Sequence, residues 1–142
     1  MAKSNIITLE DFISKATQKY QDRKISMNIN IDGMGLVTFS RPTENELLVY
    51  LNKSGNSIVT DKKGNVISQD MVTMLAASKD LVFSTCSYLQ NIDLQKQLEA
   101  IDPIDTVTKV FGITKTMEIA TDIAQEFMDK DMQSKVEKKV KN

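Results

Sequence analysis

The residues in this sequence best suited to chemistry are Cys86, the acids Asp93, Glu99, Asp102 and Asp105, and the glycines Gly33 and Gly35. Each has a chemical reading and a plainer one. The chain has no histidine, which removes the commonest general base, the Ser-His and Cys-His dyads and most zinc sites. A single cysteine builds no CxxC site, excludes an intramolecular disulfide and fits a reducing compartment. Cys86 falls on the inner face of a long apolar segment. Free cysteine there packs as a small inert hydrophobe rather than acting as a nucleophile. Gly33-Met34-Gly35 makes a GxG, but no GxxG or GK[ST] follows, so turn duty outweighs phosphate binding. The four acids invite a metal. They lack the alternating ligands and terminal bidentate Glu of an EF-hand, and helix capping accounts for Asp102 and Asp105. Paired carboxylates for acid–base work need a cleft, which spacing alone does not supply. With every usual motif missing, the chain reads as a non-enzyme without cofactors.

The elements that would position these residues follow from periodicity. Thr8 reads as an N-cap, with Asp11 three positions on in a capping-box variant. Leu9, Phe12, Ile13, Ala16 and Tyr20 then repeat at i, i+3, i+4 spacing, one apolar helix face. The period changes at Ile25, where Ile25, Met27, Ile29 and Ile31 alternate with Ser26, Asn28 and Asn30. Asp32-Gly33-Met34-Gly35 supplies the turn and Leu36-Val37-Thr38-Phe39 the return, predicting a β-hairpin over about 25–39. A lone hairpin is marginal in water, so its apolar face should pack on helices. Thr43 and Glu46 form a full capping box ahead of Leu47, Leu48 and Leu51. Residues 52–68 are polar, and the pieces Ile58-Val59-Thr60 and Val66-Ile67 suggest a second small hairpin over about 58–67, with a mobile loop as the alternative.

The longest apolar-rich segment runs from Gln69 to Gln90. Its face of Met71, Leu75, Ser78, Val82, Cys86 and Leu89, widened by Met74, Leu81 and Tyr88, suits a helix buried on several sides. Leu94 and Leu98 mark a short helical piece. Asp102-Pro103-Ile104-Asp105 opens the next with an N-cap and Pro at N1, Val107, Val110 and Phe111 face inward, and Gly112 stops it. Thr114 is the expected cap of the last helix, with Met117, Ala120, Ile123, Ala124 and Phe127 inward. The fold class is therefore α+β, mainly α: a compact helical bundle with an N-terminal hairpin. Residues 1–128 form one domain and 129–142 a charged tail.

Composition bounds the partners. A 142-residue chain with 41% hydrophobic and 26% charged residues suits one globular domain. A net charge of -1, from 18 basic and 19 acidic residues, gives no general attraction to nucleic acid or anionic membranes. Residues 1–5 lead straight into the first helix without an apolar signal core, and no run approaches the roughly 18 apolar residues a bilayer needs. A soluble, cytosolic protein is expected. What remains is interaction surface. The eight methionines include Met71 and Met117, read as core gap-fillers. Met128, Met132, Val136 and Val140 fall at i+4 spacing in a charged surround. They are either a solvated tail or the apolar stripe of a helix that lies in a partner's groove.

The order of these segments resembles one family. Thr8-Leu9-Glu10-Asp11-Phe12-Ile13, the hairpin ending in Val37-Thr38-Phe39-Ser40-Arg41-Pro42-Thr43-Glu44-Asn45-Glu46, and Asp102-Pro103-Ile104-Asp105-Thr106-Val107 are similar to the XkdN-like tail assembly chaperones of phages and defective prophages of Gram-positive bacteria. The likeness covers about residues 8–128 and includes Leu81-Val82-Phe83-Ser84-Thr85-Cys86 and Val110-Phe111-Gly112-Ile113. It rests on order and spacing, since none of these is a catalytic motif, and residues 52–68 carry no hallmark of the family. The resemblance implies a protein of the bacterial host's cytoplasm that binds the tape measure protein, keeps it soluble and helps tail tube subunits polymerise around it. It implies absence from the mature particle, and a longer frameshifted form of the chain as a further partner; Lys138-Lys139 is compatible with an A-rich slippery stretch. The rival expectation is a structural tail or baseplate adaptor retained in the virion.

Overall fold

The computed structural model describes residues 5–128. Helix α1 (Leu9–Asp22) is followed by strands β1 (Ser26–Ile31) and β2 (Gly35–Ser40), helix α2 (Glu44–Asn56), strands β3 (Ile58–Thr60) and β4 (Val66–Gln69), and helix α3 (Met71–Thr85). Three more helices close the described chain: α4 (Ile92–Gln97), α5 (Thr106–Phe111) and α6 (Ile113–Phe127). The architecture is α+β and mainly helical, with two separate two-stranded antiparallel sheets. Among the described residues no helix is long and apolar enough to cross a membrane.

The first hairpin follows the period-2 pattern. Met27 stands opposite Phe39 and Ile29 opposite Val37, so these apolar residues share one face with Ile31, while Asn28 and Thr38 pair on the other. Gly33 and Gly35 take φ of 83° and 106° in the turn, a region where a Cβ is strained. The predicted second hairpin is present as β3 and β4, with a register shift between Val59 and Thr60. Its turn is held by Asp61, whose Oδ1 accepts the backbone N–H of Lys63 and of Asn65, each at 2.9 Å.

Helix α3 is the centre. It packs on α2 and α6 and meets the inner face of the hairpin, and the core runs continuously from Ile31 and Phe39 through Leu81, Val82, Val107, Ile119 and Ile123. Phe39, fully buried, sets its ring 6.3 Å from that of Phe111 at 47°, within the range of favourable aromatic pairs. Ser40 Oγ donates to the Thr85 carbonyl at 3.2 Å, tying the hairpin to the end of α3.

Helix starts follow their caps. Thr8 Oγ1 accepts the Asp11 N–H at 3.1 Å. Thr43 and Glu46 form the reciprocal capping box, both bonds at 3.1 Å. Asp70 caps α3 through the Thr73 N–H. Asp102 accepts the Ile104 N–H ahead of a 3-10 turn, with Pro103 in the first turn as expected. Glu99, the one non-glycine residue of positive φ among the described residues, closes α4, and the Ala100 N–H reaches back to the Gln95 carbonyl at 2.9 Å.

Four expectations change. The central helix ends at Thr85, not Gln90: Cys86 is extended and residues 87–90 form a 3-10 turn, which buries Leu89 and leaves Tyr88 71% exposed instead of on the buried face. The Thr85 hydroxyl donates to the Leu81 and Val82 carbonyls, serving the orphaned end of the helix. Met71 is 51% exposed rather than core, and Val72 beside it in the first turn of α3 is 81% exposed. On α2 the buried pair is Leu47 and Tyr50, while Leu48 lies a third of a turn away and is exposed. Gly112, not Thr114, occupies the N-cap of α6; Thr116 Oγ1 donates back to its carbonyl at 2.6 Å.

Candidate protein-binding surface

Helix α1 is amphipathic and well capped, and the described residues leave it uncovered. None of its residues is buried. Leu9 is 74% exposed and Tyr20 64%, with Phe12 and Ile13 more than half exposed, and Ile6 just before the cap is almost fully so. Single exposed apolar residues are ordinary; a whole helix face of them is not. The hydrogen bonds and ion pair that tie this segment to the described body lie at the root of α1. Lys24 Nζ pairs with Glu126 on α6 at 2.6 Å, the Arg41 guanidinium donates to the Lys24 carbonyl at 3.0 Å, and the Arg41 N–H donates to the Ile25 carbonyl at 2.8 Å. The rest of the helix stands off as an arm. A helix of 14 residues is marginal in water without tertiary cover. Its cap and the Gln18–Asp22 hydrogen bonds at 2.8 and 2.9 Å contribute tenths of a kcal/mol each to about 1 kcal/mol. Cover for the apolar face would supply the remainder.

A second concavity lies between α2 and α3. Val49, Tyr50, Ala77 and Leu81 line it, Lys53 and Asp80 meet at 3.5 Å, and Glu46 and Ser84 are among its polar lining. At about 250 Å³ it falls below the size of typical small-molecule sites. Burial acts to raise the Glu46 carboxyl, but hydrogen bonds from the Ser84 hydroxyl and the Thr43 backbone and side chain outweigh it and hold the group below its ordinary value of 4.5. The groove suits an apolar side chain more than a substrate.

The residues singled out for chemistry are dispersed. Cys86 is 1% exposed in the extended link after α3. Asp102 caps, and Asp105 accepts from Lys79 Nζ at 2.7 Å. Among the described residues no group of three or more acids or cysteines is gathered as for a metal. Of the proposed terminal stripe, Met128 is extended and packed with the core beside Phe127. Met132, Val136 and Val140 lie outside the described residues. The surface that sequence reasoning passed over is α1, whose apolar face was visible while its lack of cover was not. The chain matches no protein-family model, and neither curated proteins nor solved structures give a match.

Proposed function

We propose that this chain is a non-enzymatic tail assembly chaperone that binds the tape measure protein in the host cytoplasm and assists assembly of the tail tube. The observation that carries the reading is the uncovered apolar face of α1, formed by Leu9, Phe12, Ile13 and Tyr20. Such a face takes an apolar helix of a client, as amphipathic helices and grooves do elsewhere. A tape measure protein is long and must be kept from aggregating before the tube forms, so a reversible apolar contact is the chemistry required. The order of segments that resembles the XkdN-like family supports the same reading. Tail tube subunits and a frameshifted longer form are further partners under it.

Co-expression tests it. The tape measure protein should become soluble and co-elute with the wild-type chain, and replacing Phe12 and Ile13 with Asp should abolish both effects. No gain in solubility together with no complex overturns the proposal. Stoichiometric presence of the chain in purified mature tails would instead support a retained structural adaptor.

A further inference from the structure

We propose that, without a client, α1 pairs antiparallel with α1 of a second copy of this chain, covering the stripe that the described residues leave open. The seam residues are Leu9, Ile13, Ala16 and Tyr20, spaced 4, 3 and 4, the a/d rhythm by which helices pair through knobs and holes.

Volumes choose the orientation. In a parallel pair each residue meets itself, setting Ala16 against Ala16 and Tyr20 against Tyr20, a void beside a crowded layer. With a two-fold axis between residues 14 and 15, Ile13 meets Ala16 and Leu9 meets Tyr20, large against small in the inner layers. One face of the Tyr20 ring already carries the Arg23 guanidinium at 3.7 Å, which leaves the other for the partner's leucine. Charge agrees. Glu10 and Asp11 put acid in the first turn of α1 and Lys19 puts base in its last, beside Asp22. Antiparallel pairing brings Glu10 level with Lys19 of the second copy and opposes the helix dipoles, whereas parallel pairing sets Glu10 level with Glu10.

Size permits it. With Leu9, Phe12, Ile13 and Tyr20 more than half exposed and an aromatic side chain burying about 150–250 Å², the face offers roughly 500 Å² per copy. The pair would bury about 1,000 Å², the size of a weak, transient interface that can yield to a client. The roots at Lys24 fall beyond opposite ends of the pair, roughly 30 Å apart at 1.5 Å per residue, so the two bodies leave from opposite ends.

The experiment uses the full chain alone. Sedimentation equilibrium from about 1 µM to about 1 mM, the span of weak interfaces, should show the mass rising from the 16.0 kDa protomer towards twice that value, with helicity rising in parallel. Ile13→Asp should hold the mass at the protomer value with the thermal midpoint of the body unchanged, since α1 buries nothing. Under oxidant, a mixture of Leu9→Cys and Tyr20→Cys chains should cross-link between variants in excess of either with itself. A wild-type chain that stays monomeric, an Ile13→Asp chain that associates like wild type, or preferential self-linking of Leu9→Cys overturns the proposal. No client is present, so the outcome is separate from that of the co-expression test.

Discussion

Helices α1 and α6 carry apolar stripes of similar strength, yet their fates differ. Helix α6 buries Thr116, Ile119, Ala120, Ile123, Ala124 and Phe127 against α3 and its neighbours, while α1 buries no residue at all. The difference lies in the stripe itself. Ala120, Ala124 and Thr116 are small and let α3 approach closely, with Ile119, Ile123 and Phe127 filling the space between. The α1 stripe is built of Leu9, Phe12, Ile13 and Tyr20, bulky residues that nothing in the described chain covers. Amphipathicity therefore announces that a face wants cover without naming what covers it.

The largest effect that sharpens this contrast is a core truncation. Ile123→Ala, at a fully buried position, should lower stability to urea by about 2–5 kcal/mol. Phe12→Ala on α1 should stay within about 0.5 kcal/mol in dilute solution despite removing a larger side chain. Equal losses would erase the distinction between arm and body. Caps extend the test at smaller scale. Thr43→Ala breaks the capping box of α2 and should cost about 1 kcal/mol in global unfolding. Thr8→Ala should reduce the helical signal of α1 and leave the unfolding midpoint in place, because that helix is not coupled to the core.

Acid gives the weakest and most regional effect. Glu46, Asp61 and Asp70 are all held below their ordinary values of 4.5, 3.8 and 3.8. For Glu46, burial opposes its charge and hydrogen bonds from Ser84 and Thr43 prevail. Asp61 is held chiefly by the Asn65 N–H, and Asp70 by the Thr73 hydroxyl and N–H. Their depressed folded-state values place the stabilisation above the unfolded values. It is lost as pH falls through the mid-fours and below. The thermal midpoint of the body should thus fall on acidification below about pH 4.5, and Glu46→Gln should flatten the upper part of that fall.

Much of this body was legible in the sequence, and the lapses have physical causes. The hairpin could be read because period-2 alternation and Asp32-Gly33 specify both strands and turn, and its register then follows from which face is apolar. The capping box at Thr43 and Glu46 was equally plain. The end of α3 was not. Cys86 and Leu89 continue the buried pattern, each 2% exposed or less, so apolar periodicity persists across a change of backbone conformation at Thr85. Burial of Tyr50 in place of Leu48 depends on how α2 rotates against α3, a tertiary choice that composition does not encode. The openness of α1 was invisible for a related reason: a stripe looks the same in sequence whether α3, a client or a second copy meets it.

The solitary thiol has a practical meaning. Cys86 is the chain's only cysteine and is 1% exposed, enclosed where hairpin, α3 and the following turn converge. A thiol reagent should therefore stay silent on the folded molecule and react only when the body opens, so its rate becomes a clock for that opening. A cysteine introduced on α1 should instead label at once. One chain can then carry a fast reporter of what the arm touches and a slow reporter of whether the body holds.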